Sequence, residues 1–453
     1  MKLRSVWMPR LAECNGAPFE RLAAALTEDI ASGVISADDR LPAHRDLAWR
    51  LKIGVGTVTK AYASLERRGL VRSVRGRGMF VKGATLSMAD TIDLGVNTPP
   101  QVFTDRLLSA TLTRLAKRLD AGSFSAYAEP GGRLEHRRLA ARWLEGRGLD
   151  VPPQRLVLTN GAQHALSIAF AVACPPGTTL LTEAATFPGA LLVARQMGLS
   201  PVPLAMDEGG LRPDAVASVL ATRQGTARVA IYVTPTLQNP TSASMGAARR
   251  RDLVDLARGH DVLIIEDDVY GLFGDTEHLP LGCLAPERTF HVSGLSKTLS
   301  PGLRIGMLAV PDKFIAETET RLLASSTTAS PLSAGIMELW LTDGTAEAVA
   351  ASIRDEAVRR CALARSLLPA TVEVRSGGGF HIWLPMATKE AERIVDRAAA
   401  AGVILLSARA PLTDPDALHG GVRLSLGGPP LEKLTLALTK MSNLLVQVPR
   451  PVI

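Results

Sequence analysis

Three short stretches of this chain hold residue types that do chemistry together. Ser293-Gly294-Leu295-Ser296-Lys297 runs into Thr298-Leu299-Ser300-Pro301-Gly302-Leu303-Arg304-Ile305-Gly306. A lysine beside a buried strand end loses the water that stabilises its ammonium form, so its pKa falls and its amine becomes the usual Schiff-base nucleophile. Arg304, seven residues on, offers a planar fork to a phosphate in the same place. Glu266-Asp267-Asp268-Val269-Tyr270 follows Ile265, and an acid leaving a buried strand can hold a heteroaromatic nitrogen protonated. Asn160-Gly161-Ala162-Gln163-His164 follows Leu158 and enters an apolar helix near Ala165. Free backbone N–H groups at a helix start, with a glycine allowing close approach, cradle a phosphate. Taken singly these are ordinary features: a helix cap, a strand-end cap, a solvated lysine.

Strand ends are where α/β sheets carry ligands, and the pattern from Ile92 onward is strand, loop, helix, repeated. Strands are predicted over Arg155–Thr159, Val229–Val233, Val262–Glu266, Phe290–Ser293 and Ile305–Val310. Several are continuous β-branched runs, as in strands buried on both faces between helices. Aromatics make up only 4% of the 453 residues, so Leu, Val, Ile and Ala must build the core, and the length suggests two or three folding units. Gly377-Gly378-Gly379 before His381-Ile382-Trp383-Leu384 reads as a hairpin or close-packing feature of a smaller subdomain. The four cysteines lack CxxC spacing and read as small buried hydrophobes in a reducing compartment. The eight histidines, His44, His164 and His381 among them, show no metal spacing; plain structural roles and no metal site are expected. No run approaches the ~20 apolar residues of a membrane span, and the start lacks a signal-peptide pattern. A cytoplasmic protein with no membrane partner is therefore expected.

The three stretches together resemble the fold-type-I pyridoxal-phosphate aminotransferases, from about Ile92 to the C-terminus, with S-K-x-x-x-P-G-L-R-I-G the most specific motif. The resemblance implies that Lys297 is the Schiff-base lysine and that Arg304 binds the cofactor phosphate with Ser296 and the loop Gly161, Ala162 and Gln163. It implies that Asp267 pairs with the pyridine nitrogen, Tyr270 and Asn239 with the ring hydroxyl, and Phe187 with the ring face. Tyr127, in Tyr127-Ala128-Glu129-Pro130-Gly131-Gly132, matches a tyrosine usually donated across a dimer interface, and Arg423 matches the clamp for an amino acid's carboxylate. Two departures stand out. Gly294 replaces a phosphate-binding Ser or Thr, and Phe187 replaces the commoner Tyr or Trp, keeping the stack without the polar tip.

Charge points to a second function. Between Ala43 and Lys82 lie ten basic and two acidic residues, a net of +8, leaving 41 basic and 42 acidic residues elsewhere. All the excess positive charge sits in forty residues, the footprint of a polyanion-binding module. Helices are predicted over Phe19–Gly33, His44–Leu51 and Val55–Arg68, with Leu22, Ala25, Leu26, Ile30, Leu47, Ala48, Leu51, Val58, Ala61, Tyr62 and Leu65 inward. Two strands follow, Val71–Val74 and Met79–Val81, around Arg75-Gly76-Arg77-Gly78. That is the winged helix-turn-helix arrangement, whose third helix enters the major groove. The stretch LPAHRDLAWRLKIGVGTVTKAYASLERRGLVRSVRGRGMFV is similar to the GntR family. The resemblance makes Arg45, Thr57, Thr59 and Lys60 the DNA-contact candidates, with Arg75, Gly76 and Arg77 in the wing. Val55 stands where the family often has Arg, so readout there is an apolar contact to a thymine methyl or absent.

A GntR-type head on an aminotransferase-type body is the organisation of the MocR/GabR-type regulators. The expected domains are a winged helix-turn-helix at 13–82, a linker at 83–91 and a pyridoxal-phosphate-binding α/β body with a smaller C-terminal α+β subdomain at 92–453. The expected partners are double-stranded DNA, a small amine or amino-acid effector, and a second copy in a homodimer, head-to-tail. The alternative is a working aminotransferase, of the 2-aminoadipate type, that carries a DNA-binding head.

Overall fold

The computed structural model describes residues 10–12, 16–31, 34–35, 39–67, 70–74, 78–81, 91–222, 228–274 and 277–446. They fall into two compact units, Met1–Thr91 and Ile92–Ile453. The wing turn Arg75-Gly76-Arg77 and the expected linker Gly83–Asp90 lie outside the described residues.

The first unit packs helices α1 (Pro18–Ala31), α2 (His44–Leu51) and α3 (Val55–Arg67) against the antiparallel pair β1 (Val71–Val74) and β2 (Gly78–Val81). Its core joins Leu22, Leu26, Leu47, Val58, Ala61, Tyr62 and Leu65 to Val71 and Val81. Each such large side chain removed from water contributes about 1.5–3 kcal/mol. The turn between α2 and α3 is fixed from both sides. Lys52 ends α2 in the left-handed region at φ 54°, and the buried Tyr62 hydroxyl donates to the Pro42 carbonyl at 2.8 Å. Tyr62 also meets the His44 ring edge-on at 4.9 Å. These contacts set α3 at a fixed angle to α2, leaving its outer face free.

The second unit is built on a seven-stranded sheet. In chain order its strands are β3 (Leu156–Asn160), β4 (Thr179–Glu183), β5 (Val202–Leu204), β6 (Val229–Val233), β7 (Leu263–Asp267), β8 (Thr289–Gly294) and β9 (Ile305–Ala309). They lie in the order β3-β9-β8-β7-β6-β4-β5, all parallel to their neighbours except β9, which is antiparallel to β3 and β8. Alternate residues serve opposite layers. Leu156 and Leu158 join the cluster with Met337 and Trp340, while Val157 joins the one formed with helix α4 (Ala162–Ala173).

Against the predictions, the strands run one residue further at the site end, through Asn160, Asp267 and Gly294, and α4 starts at Ala162 rather than near Ala165. Strands β4 and β5 were not predicted. Their polar Thr179, Thr182 and Glu183 and the internal Pro203 hide the apolar run, although Glu183 is fully buried.

A smaller layer pairs β10 (His381–Ala387) antiparallel with β11 (His419–Ser425), setting Trp383 opposite Arg423. Gly377 and Gly379 lie close against Leu237, so the glycine run is a close-packing feature. Ile92–Asp93 pairs in parallel with Val403–Ile404. That pairing anchors the next segment, Leu94–Thr98, beside β11, where the Leu94 carbonyl accepts from Ser425 N at 2.9 Å.

Candidate cofactor site and DNA-binding head

The C-terminal ends of β7 and β8 deliver the central groups. Asp267, the last residue of β7, is buried; its Oδ2 accepts from the Tyr232 hydroxyl of β6 at 2.9 Å. Its Oδ1 is buried without a partner. Burial raises the Asp267 carboxyl to about 6, against the Tyr232 hydrogen bond. A cationic N–H placed at Oδ1 would favour the ionised form again. Lys297 follows β8, and its Nζ donates to the Asn97 carbonyl. Burial first, then the Arg423 and Arg304 charges against Asp267, brings its amine down to about 8. That is the environment a nucleophilic lysine needs.

Below them lies a cradle for an anion. Gly161 caps α4 at φ +83°, and a Cβ there would come within 2.6 Å of Arg304 Nη2. The arginine fork thus lies against a helix N-terminus whose first N–H groups have no acceptor within the helix. Ala162 opens the helix. Gln163 keeps its backbone N–H there while its side chain turns away to donate to the Gly189 carbonyl at 2.9 Å. Ser296 Oγ is buried and unpartnered. Phe187 is half-buried against the α4 cluster.

On the other side Arg423, buried on β11, donates from Nη1 to Asn239 Oδ1 at 2.7 Å and from Nη2 to the Gly95 carbonyl. Its Nε has no partner, and burial lowers its pKa. The Tyr270 hydroxyl accepts from Asn97 Nδ2 at 2.7 Å, and burial raises its pKa.

Asn97, which sequence reading passed over, and His381, which it expected to be plainly structural, complete this network. Asn97 Nδ2 lies 3.2 Å from His381 Nδ1, and His381 Nε2 lies 3.3 Å from the Gln238 carbonyl. A carbonyl only accepts, so Nε2 carries the proton and Nδ1 accepts from Asn97. Burial, with Arg423 nearby, holds His381 down at about 3, hence neutral. Both Asn97 amide hydrogens are committed, and the Tyr270 oxygen accepts one of them. The tyrosine's own proton is left for a third party. Nothing in Gly95-Val96-Asn97-Thr98-Pro99-Pro100 marks Asn97 in advance.

Eleven buried side-chain polar atoms lack a partner among the described residues, and four belong here: Asn97 Oδ1, Asp267 Oδ1, Ser296 Oγ and Arg423 Nε. Buried polar groups are normally satisfied, so such a concentration marks a place for a polar ligand. The donors and acceptors fit a phosphorylated pyridine aldehyde: an anion cradle, an acid for the ring nitrogen, a hydroxyl donor and a depressed amine. Tyr127 is not brought in. It is fully exposed and makes no hydrogen bond to any of these groups in its own chain.

In the head, Arg45 on α2 and Thr59 and Lys60 on α3 are exposed, and Thr57 is half-buried. The Thr59 hydroxyl donates to the Val55 carbonyl at 3.0 Å. Val55 itself is 45% exposed on the first turn of α3, an apolar surface where the family often has a cation.

The sequence pattern of aminotransferase class I and II matches residues 89–438, and that of the gntR family of bacterial regulatory proteins matches residues 18–81. The chain is 27% identical over 450 residues to the HTH-type transcriptional regulator YdeF of Bacillus subtilis, covering 97% of this chain and 96% of that one. It is 29% identical over 387 residues to the vitamin B6 salvage pathway transcriptional repressor PtsJ of Salmonella typhimurium, covering 83% and 86%. An archaeal alanine:glyoxylate aminotransferase shares the fold at a TM-score of 0.71 and 23% identity, over 86% of this chain and 94% of that one. The chain belongs to the aminotransferase class I and II family and carries a GntR-family head, which is the organisation of the MocR/GabR-type transcription regulators.

Proposed function

We propose that this chain is a pyridoxal-phosphate-dependent transcription regulator that binds double-stranded DNA through residues 13–82 and senses an amine or amino acid in residues 92–453. The carrying observation is that one chain joins an exposed α3 in a +8 module to a pocket where a depressed lysine amine, an orphaned aspartate oxygen and an arginine–helix cradle converge. When bound, the cofactor supplies a carbonyl carbon open to primary amines and an electron-accepting ring.

The chain's own residues have distinct tasks. Lys297 would hold the cofactor at its carbonyl carbon through its neutral amine. Asp267 keeps a proton at the ring nitrogen through Oδ1. Tyr270 donates its free proton to the ring oxygen, and Asn239 is a second partner there. Gly161, Ala162, Gln163, Ser296 and Arg304 hold the phosphate, and Phe187 covers the ring. Arg423 takes the effector's carboxylate in place of Asn239 and Gly95. The full exposure of Tyr127 supports its donation to a second copy's phosphate in a head-to-tail homodimer. Arg45, Thr57, Thr59, Lys60, Arg75, Gly76 and Arg77 serve the DNA. No described helix is long and apolar enough to cross a membrane; a cytoplasmic location is part of the proposal.

The completeness of the same residue set favours one second reading, a working aminotransferase of the 2-aminoadipate type with a DNA-binding head. Two measurements on purified protein separate the readings. Borohydride should fix cofactor onto the Lys297 peptide, and a gel shift should retard the chain's own upstream DNA. Failure of fixation in excess cofactor removes the large-unit assignment. Rapid multiple turnover with a 2-oxo acid acceptor and no gel shift establishes the enzyme instead.

A further inference from the structure

A second cavity, of about 450 Å³, opens between the helix Leu134–Glu145, the helix Thr345–Leu367 and the residues Gly271, Gly274, His278 and Pro280. It shares no lining residue with the cofactor site. Four arginines and two acids face it: Arg142, Arg147, Arg250 and Arg354 against Asp268 and Glu347. Arg250 is spent on its own surroundings, donating to the Met245 and Pro235 carbonyls and Thr236 Oγ1. Arg142 and Arg354 are exposed at the rim and form no ion pair with a described residue. Arg147 lies over the Trp143 ring at 3.3 Å and donates from Nη1 to the Trp143 carbonyl at 2.7 Å, yet its Nε is buried with no partner. Burial lowers its pKa to about 10, against the pull of Glu347.

Asp268 Oδ1 and His278 Nδ1 are buried without partners in the same cavity. Three of the eleven orphaned atoms thus lie here and four in the cofactor site, so most of the unsatisfied buried polarity among the described residues sits in two pockets. The first pocket's orphans match a ligand, and the same logic applies to the second.

We infer that this cavity is a second ligand site, for a small anion that also carries a hydrogen-bond donor: an amino acid's carboxylate or a hydroxylated ester's phosphate. Guanidinium forks ask for oxygen acceptors in pairs, which Arg142, Arg147 and Arg354 would share. The Asp268 carboxylate repels a bare anion, so the ligand must set an ammonium or hydroxyl at Oδ1. That requirement separates a built site from general attraction to positive charge. A smaller adjoining pocket, which shares Arg147, Asp268 and Gly271 with the cavity, is lined also by His291, Ser293 and Thr298. Those residues flank Asp267, Gly294 and Lys297, so an occupant bears on the strand ends that form the cofactor site.

The test is calorimetric titration of the cofactor-saturated chain and its Arg142→Ala/Arg354→Ala variant. Both arginines are exposed, so the variant should melt like wild type. Heat from the basic head or the cofactor site is common to both proteins and cancels in the comparison. The probes are L-serine and glycerol 3-phosphate, which carry donors, and acetate and sulfate, which do not. At least one donor-bearing probe should bind wild type with Kd of about 1 mM or tighter, and at least tenfold more weakly in the variant. Whichever binds identifies carboxylate or phosphate as the anion. Asp268→Asn should abolish the preference for donor-bearing probes. Equal binding to both proteins, sulfate or acetate binding as well as the others, or no binding below about 10 mM would overturn the inference.

Discussion

The lowered pKa of Lys297 comes from its surroundings rather than from its type. An ordinary lysine amine at pH 7 is protonated almost entirely. Burial and Arg423 hold this one down at about 8, so roughly a tenth of it is neutral at pH 7. The sign follows directly: a lowered lysine pKa moves the onset of nucleophilicity to lower pH. The rate at which cofactor-free protein captures pyridoxal phosphate should therefore rise with pH and level off above about 8. Removing the cation that lowers it most, in Arg423→Ala, should raise the lysine pKa and shift the midpoint upward. Stopped-flow absorbance across pH 6 to 10 measures this (a range set about the ordinary and lowered lysine values). A wild-type rate still climbing tenfold per unit through pH 9.5 would contradict the assignment. Lys297, Asp267, Tyr270 and Arg304 were legible because each lies in a short motif at a strand end. Asn97 and His381 were not, because their partners are 173 and 284 residues away in sequence. No local pattern carries such a pairing.

At the scale of elements, the cradle depends on how closely three pieces of backbone approach. Gly294 ends β8 and pairs with Gly306 of β9, while Gly161 stands between β3 and α4. A Cβ on Gly306 would land on Gly161 C and Thr159 Oγ1, and one on Gly294 would meet the Ile305 carbonyl at 3.0 Å and Ala162 Cβ at 3.4 Å. The absent hydroxyl at position 294 is thus matched to tight local packing. Gly294→Ser should not regain a phosphate hydrogen bond. It should weaken cofactor binding several-fold and cost about 1–3 kcal/mol of stability, as overpacking does. Equilibrium cofactor titration and denaturant unfolding check both effects; tighter cofactor binding at unchanged stability would refute the packing account. The strands feeding this region were legible to within a residue because they are mostly apolar runs. Strand β4 escaped because Glu183 looks like a surface residue. It is a buried brace instead, accepting from the Thr186 hydroxyl at 2.6 Å and from the Thr234 amide at 3.0 Å.

At the scale of the whole molecule, charge and chemistry are segregated along the chain, and regulation requires them to communicate. The +8 net charge of Ala43–Lys82 was readable from composition because the remaining residues nearly cancel. Counterion release makes log affinity for DNA fall linearly with log salt, by about 0.9 per phosphate neutralised. Arg45→Ala should therefore flatten that slope by about one contact and weaken all sequences alike, leaving the response to effector intact. In the proposed function the effector acts through different groups. If it and DNA favour different states of the protein, linkage demands reciprocity, with a usual coupling of about 1–3 kcal/mol or roughly 5–150-fold. Arg423 already gives two donors to Asn239 and Gly95, so a carboxylate must displace internal bonds that join β11 to the Asn239 loop and the Gly95 segment. That exchange is the structural difference an effector can impose, and a ligand shifts an equilibrium only by its differential contacts. In Arg423→Ala those bonds are absent with or without ligand. The variant should keep its cofactor, and its DNA affinity should be the same with and without the effector. DNA affinity measured with and without a ligand that shifts the cofactor spectrum, in wild type and variant, decides the matter. A wild-type affinity that the ligand leaves unchanged removes the sensing role, and an undiminished response in Arg423→Ala moves the switch elsewhere in the pocket.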